Sequence, residues 1–247
     1  MSIDAGIAEV VMDHPPVNAL PAAVWFELAD VLLRAGDDPA VRCVVLAAEG
    51  KGFNAGVDIK ALSGQGHAAL VEVNRACYAA FAAVWDCAVP VVAAVQGYCV
   101  GGGIGLVGNA DVLIASDDAY FSLPEVDRGA LGAATHLGRL VPPLKQRAMV
   151  YLAAKATAAE LQTFGSVWQV VPRAGLRDAA LAIAASIAAK SPTVMRAAKQ
   201  ALNGIDLHDV KRSYRFEQGF TYELTLAGVA DEHRAAFTEK RETKMDR

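Results

Sequence analysis

The sequence predicts an α/β fold that ends in a helical region, and three observations support this prediction. Short apolar runs typical of buried strands alternate with helix-like segments over the first three quarters of the chain. From about Arg173 the sequence is alanine-rich and helical, and the strand patterns stop. Glycine-rich turns directly follow two of the strand-like runs, which is typical of α/β proteins that bind a ligand at such turns.

Each element follows from its local pattern. Apolar runs bounded by turn residues predict strands at Ile7–Met12, Val41–Ala48, Val91–Val95, Asp111–Ser116, Tyr120–Leu123 and Val167–Val171. Helical periodicity predicts one helix with Pro21 in its first turn, a second at His67–Trp85, and a short one after the second glycine turn. Thr157 and Glu160 fit a capping box, and Ser191 with Pro192 fits a helix start. A surface loop is expected at Ser63–Gly66.

Composition limits the classes of protein that the chain can belong to. With 247 residues, 54% of them hydrophobic, it is expected to form one large domain, or one with a small appendage, and to bury apolar surface against other subunits. The net charge of −4 has no basic block, which argues against nucleic-acid binding. No apolar run is long enough to span a bilayer, so no membrane partner is expected. Four cysteines without metal spacing suggest reduced thiols in a cytoplasmic protein and no metal.

The two glycine turns suggest a specific chemistry. One contains Phe53-Asn54-Ala55-Gly56-Val57-Asp58, and the other runs from Gly97 to Gly105 with a triple glycine at 101–103. Glycine lets a ligand approach the backbone closely, and two turns that each offer one N–H can hold a developing oxyanion. The pattern therefore predicts stabilisation of negative charge on a carbonyl oxygen.

Three motifs in this order resemble the crotonase (enoyl-CoA hydratase/isomerase) superfamily over nearly the whole chain. They are Phe53 to Lys60, Ala93 to Gly103, and Phe121-Ser122-Leu123-Pro124-Glu125-Val126. The resemblance implies a spiral of β-β-α turns over residues 1–190 and a C-terminal helical oligomerisation region over residues 191–247. It further implies an acyl-CoA substrate, no cofactor other than the CoA of that substrate, and a homotrimer or homohexamer.

The resemblance also implies roles for individual residues. The thioester carbonyl would lie between the backbone N–H groups of Val57 and Gly102. The adenine end of CoA would lie against the backbone of two segments. Their residues are Val17 and Ala19 in the first and Ala55, Asp58 and Ile59 in the second. Lys240 of one subunit would approach the CoA phosphates, and the aromatic and leucine side chains of the tail from Phe216 to Leu226 would pack between subunits.

One departure from the family pattern decides the expected reaction. Hydratases of this family activate water with two glutamates; the position of the first is Gly105 here, and the second is Glu125. A lone carboxylate cannot perform the two-glutamate hydration, so ordinary hydratase activity is not expected. Burial would tune Glu125 for proton transfer near neutral pH, whereas a helix-terminal glutamate that stabilises the dipole is the alternative.

Four further side chains are possible catalytic or pocket residues with structural alternatives. Asp127 and Arg128 follow Glu125 and could instead form a surface pair. His136 could be a general base or a packing histidine, and Asn109 follows the glycine-rich helix and could point inward.

Longer segments resemble one branch of the superfamily. They are Gly101 to Asn109, Arg128 to Leu137, Glu217 to Leu224 and Ala227 to Arg234. That branch hydrolyses a ring carbon–carbon bond of a bicyclic CoA thioester in bacterial steroid (cholesterol) breakdown. The small Gly105 is then expected to make room for a bulky ring. A Δ3,Δ2-enoyl-CoA isomerase with one glutamate and a non-catalytic CoA-binding subunit remain as alternatives.

Overall fold

The computed structural model of the chain describes residues 1–62, 65–239 and 241–243. Within these residues, the strands are β1 (Ser2–Asp4), β2 (Ile7–Met12), β3 (Cys43–Ala48), β4 (Val91–Val95), β5 (Tyr98–Val100), β6 (Val112–Ser116), β7 (Tyr120–Ser122), β8 (Lys155–Thr157) and β9 (Gln169–Val171). The helices are α1 (Ala22–Asp37), α2 (Ile59–Leu62), α3 (Gly66–Asp86), α4 (Gly102–Val107), α5 (Ala134–Leu137), α6 (Pro143–Tyr151), α7 (Ala158–Thr163), α8 (Leu176–Ala188), α9 (Pro192–Ile205), α10 (Val210–Leu226) and α11 (Val229–Glu239). Short 3-10 helices lie at Pro124–Arg128 and Arg173–Gly175.

Two sheets wind together as a spiral. The larger sheet has the order β1-β2-β3-β4-β6-β9 and is parallel except for the β1–β2 pair, and the smaller sheet has the order β5-β7-β8. Strand β4 in the large sheet leads to β5 in the small one, and β6 leads likewise to β7. The two turns stay in register, since Val92 pairs with Val112 while Tyr98 pairs with Tyr120. This arrangement is the expected β-β-α spiral.

The central strands β3, β4 and β6 of the large sheet are buried on both faces, which explains their continuous apolar runs. Val44 and Leu46 belong to the main core together with residues of α1 and α3, whereas Cys43 and Val45 face the other way and pack with α8. Trp25 of α1 meets Phe81 of α3 edge-on, with ring centroids 5.7 Å apart. The packing of α1 and α3 against this face positions the walls of the site described below.

Most predicted elements are confirmed, with corrections at their ends. The strand expected at Val41 begins at Cys43, because Val41 N closes a turn on Asp38 O at 3.0 Å. The strand expected at Val167 begins at Gln169, because the backbone N–H of Val167 still binds the last turn of α7. The second glycine segment is not a simple strand-to-helix turn, since β5 lies between Gly97 and Gly101.

The predicted helix starts are confirmed in part. Thr157 Oγ1 accepts a hydrogen bond from Glu160 N at 3.1 Å, but the Glu160 carboxylate pairs with Lys145 at 2.6 Å. Ser191 lies at the N-cap of α9 but its side chain makes no capping bond, and Pro21 is the N-cap residue of α1, one residue before the helix. The loop expected at Ser63–Gly66 lies partly outside the described residues. No helix among the described residues is both long and apolar enough to cross a membrane.

Candidate active site

The two glycine turns lie against each other. Val100 N donates to Asn54 O at 2.9 Å, and the segment around Asn54 pairs with the segment around Cys99 as a parallel bridge. A Cβ on Gly56 would lie only 3.2 Å from the backbone nitrogen of Gly102. Gly56 (φ +85°) and Gly101 (φ +59°) both adopt left-handed backbone that favours glycine. The glycines are therefore required by close backbone approach as well as by the turn conformation.

Asn54 fixes the first turn, a role that the sequence reading did not assign to it. Its buried Oδ1 accepts a hydrogen bond from Gly56 N at 2.8 Å, and its Nδ2 donates to Asn18 O at 2.7 Å. On the other side of Val57, the backbone N–H of Asp58 binds Leu20 O at 3.1 Å. Leu20 N also donates to Gly56 O at 2.9 Å, so the peptides on both sides of Val57 are held by Leu20 and the turn before them by Asn54. The motif at Phe53–Asp58 contains Asn54 but does not by itself indicate this brace, because both of its backbone partners are decided by the fold.

The turns open onto an apolar cavity of about 120 Å³. The walls come from the two turns, α2, α3, the 3-10 helix after β7, the loop before α5, and α10. The lining side chains and backbone include Ala55, Val57, Ile59, Leu62, Leu70, Val73, Asn74, Cys77, Phe81, Gly102, Glu125, Arg128, Leu131, Tyr214 and Thr221. An apolar cavity with a few polar groups is typical of a small-molecule binding pocket.

Glu125 projects into this cavity from the 3-10 helix that follows β7. Its Oε2 is buried and has no hydrogen-bond partner in the part of the chain that the structure describes. Burial raises the pKa of Glu125 from 4.5 to about 8, and the nearby charge of Glu217 adds to this, while a hydrogen bond from its own backbone and the charge of Arg128 oppose it. A Cβ on Gly101 would lie 2.6 Å from Glu125 Oε1, so the carboxyl group lies beside the second glycine turn.

Gly105 does not leave open space. A Cβ at this position would overlap the ring of Phe81, which itself lines the cavity. The expectation that Gly105 makes room for a bulky ring is therefore wrong, because an aromatic ring from α3 already fills that volume. The arrangement also excludes a second carboxylate here, since a glutamate at 105 would displace Phe81.

Asn109 and His136 lie behind the cavity wall. Asn109 Nδ2 donates to Phe81 O at 2.9 Å and to Gly105 O at 3.1 Å, so it braces α3 against α4. His136 Nδ1 lies 3.2 Å from Asn109 Oδ1, and its ring packs edge-on against Phe81 at 5.2 Å. Burial and the charge of Arg139 lower the pKa of His136 to about 3, so the ring is neutral near pH 7. Neither residue lines the cavity.

The two residues near Glu125 occupy different places. Arg128 lines the cavity, and its charge favours the carboxylate form of Glu125. Asp127 is exposed and does not line the cavity, and its backbone oxygen lies 3.1 Å from His233 Nδ1 on α11. The geometry thus places Arg128 at the candidate site and Asp127 at a contact with the C-terminal helix.

The segment expected at the adenine end of CoA is partly assembled at the mouth of the cavity. Ala55 and Ile59 line it, and the Ala55 N–H lies 3.4 Å from Asn18 O, between Val17 and Ala19. The carboxylate of Asp58 accepts hydrogen bonds from Lys60 N at 3.0 Å and Ala61 N at 3.3 Å, so this side chain caps α2. Lys240 lies outside the described residues.

The sequence reading missed the contribution of α10 to the cavity. Tyr214 and Thr221 line it, and Glu217 accepts hydrogen bonds from Ala134 N at 2.8 Å and Thr135 N at 3.0 Å, which ties α10 to α5. Only the helical periodicity of the tail was available, and it does not show which face of the helix points inward. Among the described residues, no group of three His, Cys, Asp or Glu side chains could hold a metal ion.

A family model described as enoyl-CoA hydratase/isomerase matches residues 2–247. The chain is 65% identical over 235 residues, 95% of this chain and 91% of the relative, to a protein of Rhodococcus jostii (strain RHA1). It is 60% identical over 238 residues, 96% of both chains, to a protein of Mycobacterium tuberculosis (strain ATCC 25618 / H37Rv). Both relatives carry the name (7aS)-7a-methyl-1,5-dioxo-2,3,5,6,7,7a-hexahydro-1H-indene-carboxyl-CoA hydrolase.

A solved structure agrees with this assignment. The crystal structure of carnitinyl-CoA hydratase from Mycobacterium avium superposes with a TM-score of 0.87 at 29% identity, over 99% of this chain and 97% of that chain. The chain belongs to the enoyl-CoA hydratase/isomerase family, as the three motifs predicted.

Proposed function

We propose that this chain is a hydrolase that cleaves a ring carbon–carbon bond of a bicyclic β-keto acyl-CoA in steroid degradation. The observation that carries the proposal is that Glu125, whose Oε2 is buried, is the one carboxyl group among the described residues that line the cavity, with Phe81 in the place of a second carboxylate. The names of the two relatives support the same substrate class, since they describe a fused-ring carboxyl-CoA with two oxo groups.

In this proposal, the thioester oxygen accepts hydrogen bonds from the backbone N–H groups of Val57 and Gly102. The close approach of Gly56 to Gly102, and the brace from Asn54, support the placement, because preorganised donors cost no reorganisation when charge develops. Loss of one such donor typically lowers the rate by about 10²–10³.

Glu125 performs the proton transfers. Its carboxylate takes a proton from water while the water oxygen bonds to the ring ketone carbon. The bond from that carbon to the α-carbon then breaks, and its electron pair becomes a thioester enolate held by the two N–H groups. Protonated Glu125 returns the proton to carbon, and the former ketone carbon becomes a carboxylic acid. The sum is one water added, one ring opened and no CoA released, so CoA within the substrate is the one cofactor that the reaction involves.

The remaining expectations join the proposal. The backbone around Val17, Ala19, Ala55, Asp58 and Ile59 binds the adenine end of CoA, and Lys240 of a neighbouring subunit contacts its phosphates. Binding of nucleic acid or of a membrane surface is not part of the proposal. Cytoplasmic location is proposed because all four cysteines are buried free thiols, as a reducing compartment allows.

We also propose a homotrimer or homohexamer. Phe216 is 71% exposed, Phe220 is 42% exposed and Leu226 is 74% exposed, although α10 forms part of the core on its other face. Exposed apolar side chains on a helix face indicate an interaction surface. Light scattering at micromolar concentration is expected to give three or six copies, and a monomer would refute this part of the proposal.

The alternative is a Δ3,Δ2-enoyl-CoA isomerase, which the single carboxyl group at Glu125 also permits. Crotonyl-CoA, a 3-enoyl-CoA and a bicyclic β-keto acyl-CoA are incubated separately with the purified chain and followed by mass spectrometry. The expected result is that only the bicyclic thioester reacts, gaining the mass of one water without release of free CoA. Hydration of crotonyl-CoA at about 10 s⁻¹ or faster would refute the hydrolase. Reaction of the 3-enoyl-CoA alone, with no gain of water, would make the chain an isomerase.

A further inference from the structure

One amide interrupts the apolar face that α3 turns toward the cavity. Leu70, Val73, Cys77 and Phe81 line the cavity at helical spacing, and Asn74 lies among them. The backbone oxygen of Asn74 accepts a hydrogen bond from Gln218 Nε2 at 2.8 Å, which ties this turn of α3 to α10. The backbone from which the Asn74 side chain projects is therefore held by two packed helices.

The side-chain Nδ2 of Asn74 is buried and has no hydrogen-bond partner among the described residues. A buried donor without an acceptor is costly, and most such groups in native proteins are paired. The free-energy cost of burying the unpaired Asn74 Nδ2 can therefore be offset by a ligand that accepts a hydrogen bond from it.

Other polar groups of the cavity have partners in the protein. Thr221 Oγ1 donates to Leu131 O at 2.7 Å and accepts from Leu131 N at 3.1 Å. Tyr214 has a hydrogen bond with the side chain of Gln218. Among the described side chains that line the cavity, Asn74 Nδ2 and Glu125 Oε2 are the buried polar atoms without a hydrogen-bond partner.

The location of Asn74 relative to Glu125 can be read from α3. Cys77 lies near Glu125, since both residues line the cavity. Burial raises the pKa of the Cys77 thiol, and the charge of Glu125 raises it further. Asn74 precedes Cys77 by three residues, which places it about 4.5 Å further along the helix axis. A carbonyl oxygen separated from the reacting atoms by a few ångströms of ring would meet this amide.

We propose that Asn74 donates a hydrogen bond to a second carbonyl oxygen of the acyl group and so selects ring-ketone thioesters over acyl groups that lack the ketone. The inference rests on the proposed function, because it assumes a fused-ring acyl group with more than one carbonyl. Two oxo groups beside the thioester appear in the names of both relatives, and the two glycine turns account for the thioester oxygen alone.

The test compares Asn74→Leu with the unaltered chain on two fused-ring carboxyl-CoA thioesters that differ only by one ring ketone. Calorimetry measures the Kd of each thioester with Glu125→Gln added to both chains, so that the ring is not opened during the measurement. The expected result is that Asn74→Leu weakens binding of the keto thioester by about 5- to 30-fold and leaves the Kd of the other unchanged, the range expected for one buried hydrogen bond. Equal weakening of both thioesters, or no change in either, would overturn the inference.

Asn203→Leu is the matched control, because Asn203 Nδ2 donates to Trp85 O at 2.8 Å and the residue does not line the cavity. It is expected to leave the preference for the ketone intact. Circular dichroism checks the fold of each variant, and Asn74→Ala is measured in the same way if leucine does not fit.

Ring opening is measured in parallel, so that the two proposals can fail separately. If the unaltered chain prefers the ketone through Asn74 but opens no ring, the proposed function fails and this inference stands. If the chain opens the ring and Asn74→Leu keeps the same Kd and kcat/KM, this inference fails and the proposed function stands.

Discussion

Replacement of Glu125 by glutamine is expected to make the protein more stable and less active. The carboxyl pKa is raised from 4.5 to about 8, chiefly by burial, so the folded state favours the protonated form. Below about pH 4.5 the carboxyl group is protonated in both folded and unfolded chains, and its ionisation costs nothing. As the pH rises through 4.5 to about 8, the unfolded chain gives up this proton while the folded chain retains it, and stability is progressively lost.

The size of the effect follows from the pKa difference. At about 1.4 kcal/mol per pKa unit, the full difference corresponds to an upper value of about 5 kcal/mol. Relaxation around the charged group lowers this, and we expect about 2–5 kcal/mol above pH 8. Glutamine has nearly the same shape and no charge at any pH, so Glu125→Gln should recover this free energy at pH 9 and little of it at pH 5.

Urea unfolding of both chains at pH 5, 7 and 9 measures the difference in the free energy of unfolding. In parallel, kcat for ring opening is expected to fall by about 10²–10⁴ in the variant, while the Kd for free CoA is unchanged. A stability difference that is the same at all three pH values would refute the claim that burial raises the pKa of Glu125. Near-normal turnover would remove Glu125 from its proposed role.

Three further predictions follow from packing and hydrogen bonds. Gly105→Ala is expected to lower the free energy of unfolding by about 1–3 kcal/mol in denaturant, because the new methyl group overlaps Phe81. Adding Phe81→Leu should restore part of this loss, and a double variant whose loss equals the sum of the two single losses would contradict the overlap. Asn54→Ala is expected to lower kcat by about 10-fold or more through release of the first glycine turn, whereas an unchanged kcat would show that the turn holds itself. Lys199→Met removes the buried lysine that pairs with the partly exposed Asp111 and should destabilise the chain by about 1.5–3 kcal/mol in urea, against at most about 1 kcal/mol for Lys211→Met in an exposed pair; equal effects would contradict the burial argument.

The central strands β3, β4 and β6 of the larger sheet could be predicted from the sequence because they are apolar on both faces, whereas the three exposed residues of β1 were not predicted as a strand. Val91–Val95 matches the structure at both ends, since Pro90 and Gly97 bound the run closely. The small sheet was harder to predict, because β5 and β8 have three residues each and mix aromatic, charged and small side chains. Their pairing depends on contacts with β7, which lies far away along the chain. Three residues carry too little periodic pattern to indicate a strand.

The candidate site likewise has features that the sequence predicts and others that it does not. The two glycine turns could be predicted, because glycine motifs indicate local backbone conformation, and the roles that the family resemblance implies for Val57 and Gly102 stay predictions. The side chains Phe81, Asn74 and Tyr214 could not, because they reach the cavity from long helices whose apolar faces look alike in sequence. Which part of a helix face lines a cavity is decided by tertiary packing, and a single sequence does not contain that information.

The loss of one glutamate from the family pattern is compensated by a packed unit. Phe81 covers Gly105, and Asn109 fixes this contact by binding the backbone oxygens of both residues. His136 extends the brace through Asn109 and stays neutral because it is buried. An amide and a neutral imidazole hold the wall without adding charge beside Glu125, whereas a carboxylate at 105 would raise the cost of ionising Glu125 further. With no carboxylate at 105, burial is the main cause of the raised Glu125 pKa, and in the proposed reaction a pKa of about 8 would let this group both accept a proton and return it.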